Sequence, residues 1–233
     1  ARKPGATNFS PFINNLLQMQ GPENNYAVLE ASKIKTNTGE INDGGLSFHG
    51  STSSPWNTFP ATMGASSGKW YWEIYVKTTG IGNVRPGALQ DGSFHAWDTD
   101  VYLGQASYGN SFAIAQDGRL RRNLDGVNSD MLRYQMPWGP NDETRCIVSW
   151  ALDMDNGKAY VAINGVWGTV TVPATNGMIS DGTAVPAVSG LTGTWRPALS
   201  VNGGVYNWDT IDVNFGQRPF RYAPPEGYKC WNR

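Results

Sequence analysis

The sequence predicts an all-β protein, and three observations carry that prediction. Charged residues make up only 16% of the chain, against 28 glycines, 14 prolines and 12% aromatic residues, a balance that suits many turns between bulky strands. Apolar and polar residues alternate with period two in several segments. Two Asn-Gly pairs, Asn156-Gly157 and Asn164-Gly165, lie eight residues apart between such segments. Asn and Gly accept the positive φ angles of a type I′ turn, whose twist matches the strands it joins. The pairs therefore predict two-residue hairpins and a three-stranded antiparallel meander.

Residues 1 to 8, small and polar, are expected to form a flexible lead. Ser10-Pro11 then supplies an N-cap and a proline at the first helical position, and Gly21-Pro22 stops the run, which predicts a short helix from about 11 to 19. Its apolar residues Phe12, Ile13, Leu16, Leu17 and Met19 could dock on the same domain or on a neighbouring subunit. From about residue 44 the period changes to two. GKWYWEIYVK (68 to 77) places Trp70, Trp72, Ile74 and Val76 on one face and Tyr71, Glu73, Tyr75 and Lys77 on the other, which predicts a strand buried on one side. TRCIVSWALD (144 to 153) groups Cys146, Val148, Trp150 and Leu152 as a central strand would. TIDVNFG (210 to 216) turns Ile211, Val213 and Phe215 inward. Shorter strand candidates are 45 to 50, 101 to 106, 111 to 116, 118 to 123 and 196 to 201, with Asp117-Gly118 as a further hairpin signal.

Short strands at this spacing predict a sandwich, and no repeat, linker or charge block divides the chain after residue 44. The expected organisation is an N-terminal arm over 1–43 and one sandwich domain over 44–233. A formal net charge of −1 removes the electrostatic reason for a strong nucleic-acid or anionic-membrane footprint; Arg119, Arg121 and Arg122 form the one basic cluster. No run is apolar and long enough to span a bilayer, and the opening ARKPGATNFS lacks the apolar core of a secretory signal. Cys146 and Cys230 are too few for a disulfide framework and lack zinc spacing, so both are expected as free thiols, Cys146 in the core.

The ordered blocks GKWYWEIYV (68 to 76), ALDMDNGKAYVAINGVW (151 to 167), PALSV (197 to 201) and VNFGQRPFRYAPPEGYK (213 to 229) resemble the SPRY domain. The resemblance covers roughly 44 to 230 and implies a SPRY-like antiparallel β-sandwich, here with a short N-terminal helix; in that family the matched blocks are mostly framework. PRY leader motifs are not evident, which points away from a host-signalling adaptor. NFSPF, the leader GPENNY and GQRPF are similar to SPRY-like proteins of bacteriophage particles.

The chemical constellations are weak beside their structural alternatives. Asp153 to Gly157 has the oxygen-rich look of a calcium loop but lacks a Glu at the required spacing, and Asp and Asn favour tight turns in any case. Asp98 and Asp100 leave a weak loop site open. His49 and His95 have no local nucleophile arrangement, and no phosphate loop follows a strand. The expectation is a protein with no catalysis, metal or cofactor.

The better signal is aromatic and polar residues in loops. Trp97, Asp98, Tyr102 and Tyr108 cluster between 92 and 110, and Tyr134 and Trp138 lie between 132 and 142. Trp and Tyr bury much area at small rotamer cost and carry a polar tip, which suits recognition, although the same rings can plug the ends of a sandwich. Arg119 and Arg121 would share one strand face, where they could meet an acidic partner or simply guard an edge. The resemblance implies a virion structural or adhesion protein, such as a tail fibre, receptor-binding or head-decoration component. It would be found in the virion after assembly in host cytoplasm, and would be a homo-oligomer. Its partners would be other virion proteins or a host-surface receptor, protein or glycan, with no nucleic acid and no membrane insertion. The alternatives are a free-standing protein-binding SPRY adaptor and a carbohydrate-binding lectin-like module or hydrolase.

Overall fold

Alternation along the strands places large apolar side chains between two antiparallel sheets. The computed structural model describes residues 25–30, 39–50, 56–77, 84–92, 101–105, 109–115, 118–129, 145–168, 178–180, 182–202 and 210–232. The predicted helix from 11 to 19 lies outside them. An eight-stranded sheet runs β1 (Gly39–Asn42), β2 (Ser47–Gly50), β14 (Thr210–Asn214), β4 (Lys69–Lys77), β9 (Arg145–Asp153), β10 (Lys158–Ile163) and β11 (Val166–Trp167), with β12 (Val188–Ser189) also on β10. A six-stranded sheet runs β3 (Asn57–Pro60), β13 (Trp195–Val201), β5 (Val84–Gln90), β6 (Ser111–Ile114), β7 (Leu120–Leu124) and β8 (Val127–Ser129). All the strand pairs are antiparallel, so the expected all-β sandwich is the observed architecture.

The core joins the sheets through rings. Trp72 of β4 stacks on Trp150 of β9 at 6.3 Å between centroids, Trp150 meets Phe112 of β6 at 5.0 Å, and Phe112 meets Trp195 of β13 at 5.2 Å. Cys146, Val148, Trp150 and Leu152 all face this core as their alternation predicts, and burial raises the Cys146 thiol to about 12. Both cysteines are free. Residues 25–30 seal the edge between the sheets: Ala27 and Leu29 are buried, Leu29 N donates to Gly45 O at 2.9 Å, and Glu30 N donates to Pro60 O at 2.9 Å. The sandwich thus draws on chain preceding residue 44.

The predicted meander β9-β10-β11 is present, but its two turns differ. Asn164 and Gly165, with φ of 50° and 81°, close the expected two-residue turn between Ile163 and Val166. Asn164 Oδ1 also accepts from Ile147 N at 2.9 Å, tying the turn to β9. The first turn corrects the prediction: Asp153 pairs with Lys158, so four residues, Met154 to Gly157, make the loop. Asp153 accepts from Asn156 N at 3.0 Å and from Asn156 Nδ2 at 2.9 Å, closing the wider turn with a carboxylate. Gly157 has φ of 60°, and a Cβ there would come 2.6 Å from Leu191 O.

Two further expectations are corrected. Of the segment expected as a strand over 101 to 106, the described residues 101–105 form a turn instead, because Gln105 N donates back to Tyr102 O at 3.2 Å and Gly104 takes φ of 76°. β4 is buried on both faces. Tyr71 and Glu73 are fully buried beneath the chain that follows β14, where Phe220 meets the Tyr71 ring edge-on at 4.8 Å. Glu73 holds that strap through four donors: Tyr71 Oη at 2.9 Å, Tyr75 Oη at 2.7 Å, and the backbone N–H groups of Arg221 and Tyr222, each at 2.8 Å. A buried carboxylate persists because every donor is directed at it.

Burial, followed by the bond to Glu73, pushes the Tyr75 phenol up to about 12, and burial and the Glu73 charge raise Tyr71 as well. Glu73→Gln leaves at least one donor without its charged acceptor and is expected to cost about 2–4 kcal/mol in urea denaturation. A cost under about 0.5 kcal/mol would show that the network does not hold the strap. The raised tyrosines stabilise the fold fully below their ordinary value of 10.0, and that contribution fades as pH rises from there toward 12. Alkaline unfolding curves should show this loss, and Tyr75→Phe should reduce it.

Candidate functional site

The outer face of the six-stranded sheet carries the candidate site. Val84 and Ala88 of β5 point into the core, so Arg85, Gly87 and Leu89 point outward; on β13 the outward residues are Ala198 and Ser200. Register sets Thr58, Ser200 and Arg85 in one row, and Ala198, Gly87, Ala113 and Arg121 in the next. Gly87 is required there, because a Cβ would collide with the Phe112 carbonyl.

Val101–Gln105 crosses this face. Thr58 Oγ1 donates to Val101 O at 2.9 Å, Leu103 N to Ser200 Oγ at 3.0 Å, and Gly104 N to Ser111 Oγ at 2.9 Å. Three hydroxyl side chains on three strands thus fix the segment's path. Leu103 fills a small apolar site with Leu89, Ala113 and Ala198. Gly104 lies flat on Arg121, whose backbone carbonyl oxygen would be 2.6 Å from any Cβ at that position.

That path sets the Tyr102 ring over Arg85, with the guanidinium carbon 3.6 Å from the ring centroid. The same carbon is 4.3 Å from the Trp56 ring, and the two rings are 4.9 Å apart. Trp56 is buried, while Arg85 and Tyr102 are half-buried, so the stack is rooted in the fold and open at its tip. Ala115 N donates to Arg119 O at 2.8 Å, extending the β6–β7 ladder, so Arg119 and Arg121 share this outer face as predicted.

Among the predicted site residues, Tyr102, Arg119 and Arg121 thus come to one face. Trp97, Asp98, Tyr108, Tyr134 and Trp138 lie outside the described residues. Sequence reasoning missed Arg85 and Trp56. Pro86-Gly87 interrupts the alternation of β5 and disguises it as a turn, and Trp56 has no periodic neighbours. The calcium-like loop is a turn in which Asp153 and Asp155 accept from Asn156 and from Gly68 N.

No protein-family model matches the chain, and no curated protein matches it either. Among solved structures, the SPRY domain of human HERC1 aligns with a TM-score of 0.55 at 13% identity, covering 82% of this chain and 99% of that one. The TRIM65 PSpry domain aligns with a TM-score of 0.48 at 12% identity, over 91% and 98% of the two chains. The fold is a SPRY-like β-sandwich, and the HERC1 likeness carries that statement.

A double-mutant cycle tests whether the stack is an energetic unit. Arg85→Met and Tyr102→Leu, alone and together, should give a coupling energy of about 1 kcal/mol in urea denaturation. Additive effects would show that the rings and the guanidinium are merely adjacent.

Proposed function

We propose that the chain is a non-enzymatic binding module whose SPRY-like sandwich presents the outer face of its six-stranded sheet to a protein partner. The assembly is a virus particle, in which the module serves as a structural or adhesion component and occurs as a homo-oligomer. The observation that supports the binding reading is the Trp56–Arg85–Tyr102 stack, a rigid aromatic and cationic anchor held in place by a hydroxyl-pinned segment. Such an anchor loses little rotamer freedom when a partner covers it.

The virion reading rests on the similarity of NFSPF, GPENNY and GQRPF to phage-particle proteins. The described end of the leader lies beside the last block: a Cβ on Gly216 would come 3.2 Å from the Tyr26 ring, and Gln217 Nε2 donates to the adjacent Ala27 O at 3.4 Å.

Quantitative mass spectrometry of washed, cross-linked particles tests both levels. The expected result is a fixed stoichiometry of the chain and cross-links from the region of Tyr102 and Arg119 to another virion or receptor protein. Absence of the chain from washed particles would refute the virion reading. Cross-links confined to the opposite sheet would refute the assignment of the binding face.

A further inference from the structure

Charge falls away along one margin of the eight-stranded sheet. Between Lys158 and Arg196 the sequence holds a single charged residue, Asp181, although charged residues make up 16% of the chain. That stretch supplies most of β10 and all of β11 and β12, and so builds the last edge of the sheet. The same margin gathers apolar side chains in the open. Among the described residues four large apolar side chains are exposed, and three of them, Val166, Met178 and Val185, come from this stretch with 36%, 55% and 39% of their surface free. The fourth, Val127, lies on β8 of the other sheet beside the exposed Asp125.

Backbone bonds bring the three into one patch. Val185 N donates to Gly168 O at 3.4 Å, two residues beyond Val166, and the N–H groups of Thr183 and Ala184 both donate to Met178 O at 3.1 Å. Ala184 precedes Val185, so Val185 is the link between Met178 and Val166. Half-buried groups flank the patch. Ile179 packs with Trp167 in the layer around Tyr71, and the Tyr222 ring lies against Gly165, where a Cβ would come 2.6 Å from it. Arg221, exposed beside Tyr222, marks the rim.

We infer that this margin is the contact between two copies of the chain, related by a two-fold axis that passes close to Val185. The contact rests on the homo-oligomer proposed above and gives it a face. Charge decides the occupant. Across a two-fold axis a residue near the axis meets its own copy, so any charge there would face its like. A surface without charges avoids that repulsion and leaves apolar contact as the driving force, as in the apolar centres of homodimer interfaces. A different partner would gain neither steering nor register from such a face. A stable dimer takes about 800 Å² from each copy, more than three side chains supply, so Trp167, Ile179 and Tyr222 share the contact.

Sedimentation velocity on the full chain between about 1 and about 100 µM should show the 25.4 kDa monomer passing to a dimer. Raising salt from about 50 to about 500 mM should not weaken that dimer, since no ion pair across it is screened. Met178→Glu with Val185→Glu should weaken dimerisation by roughly tenfold or more, because each buries a charge opposite its copy. Val127→Glu makes the same change at an exposed apolar residue outside the patch and should leave dimerisation as it is. Near-UV circular dichroism confirms that each variant keeps its packed aromatics, and the salt titration needs no variant. A chain that stays monomeric to about 100 µM overturns this contact and the homo-oligomer together. A dimer indifferent to both Glu substitutions, one dispersed by salt, or a closed trimer leaves the homo-oligomer standing and overturns this face. Binding of the monomer to phosphatidylcholine vesicles, abolished by the two Glu substitutions, would overturn it in favour of a lipid surface. The Arg85 and Tyr102 face is tested separately by the particle cross-links.

Discussion

Glu73 is the constraint around which the two outer faces of the sandwich divide. Its carboxylate is buried, and a buried charge of this kind is tolerated only when fully bonded. Two phenols from its own strand and two backbone N–H groups from the chain after β14 satisfy it. The consequence is a strap locked across the outer side of the eight-stranded sheet, with Phe220, Tyr228, Trp167 and Ile179 forming a second apolar layer around Tyr71. That sheet becomes the middle of a three-layer stack and offers its outer face to the protein itself.

The six-stranded sheet is treated differently. Among the described residues its outer face is crossed by Val101–Gln105, held by hydroxyls of Thr58, Ser200 and Ser111. Hydrogen bonds to neutral hydroxyls hold a segment close without the extensive apolar burial seen under the strap. The face keeps an arginine stacked on an aromatic tip, and the recognition proposed above would fall on this side of the sandwich. The aromatic chain from Trp72 to Trp195 keeps both sheets in register, so the site is carried on a stiff base.

Much of this was legible in the residues. The alternations of β4, β9 and β14 identified their core faces, because period two has only one way to bury Trp72, Trp150 or Val213. Asn164-Gly165 named its own turn, since φ above zero at both positions leaves few alternatives. Asn156-Gly157 was less informative. The same dipeptide ends a four-residue loop when Asp153 can reach Asn156, and that choice depends on a side-chain bond that composition does not reveal. Likewise β5 was hidden, because Pro86-Gly87 reads as a break until Phe112 and Ala113 are seen to need the space of a missing side chain.

The sequence by itself determined the class of fold, the core faces of the main strands, the burial of Cys146 and the shared face of Arg119 and Arg121. These follow from local rules: period, turn chemistry and the cost of exposing large apolar groups. Tertiary structure decided which outer face is covered, and it brought Trp56, Arg85 and Tyr102 together across successive gaps of 29 and 17 residues in the numbering. The physical reason is that a cation over two rings, or a carboxylate gathering four donors, is a meeting of side chains from separate strands. Such meetings are fixed by sheet register and strap path, which no local window of sequence contains.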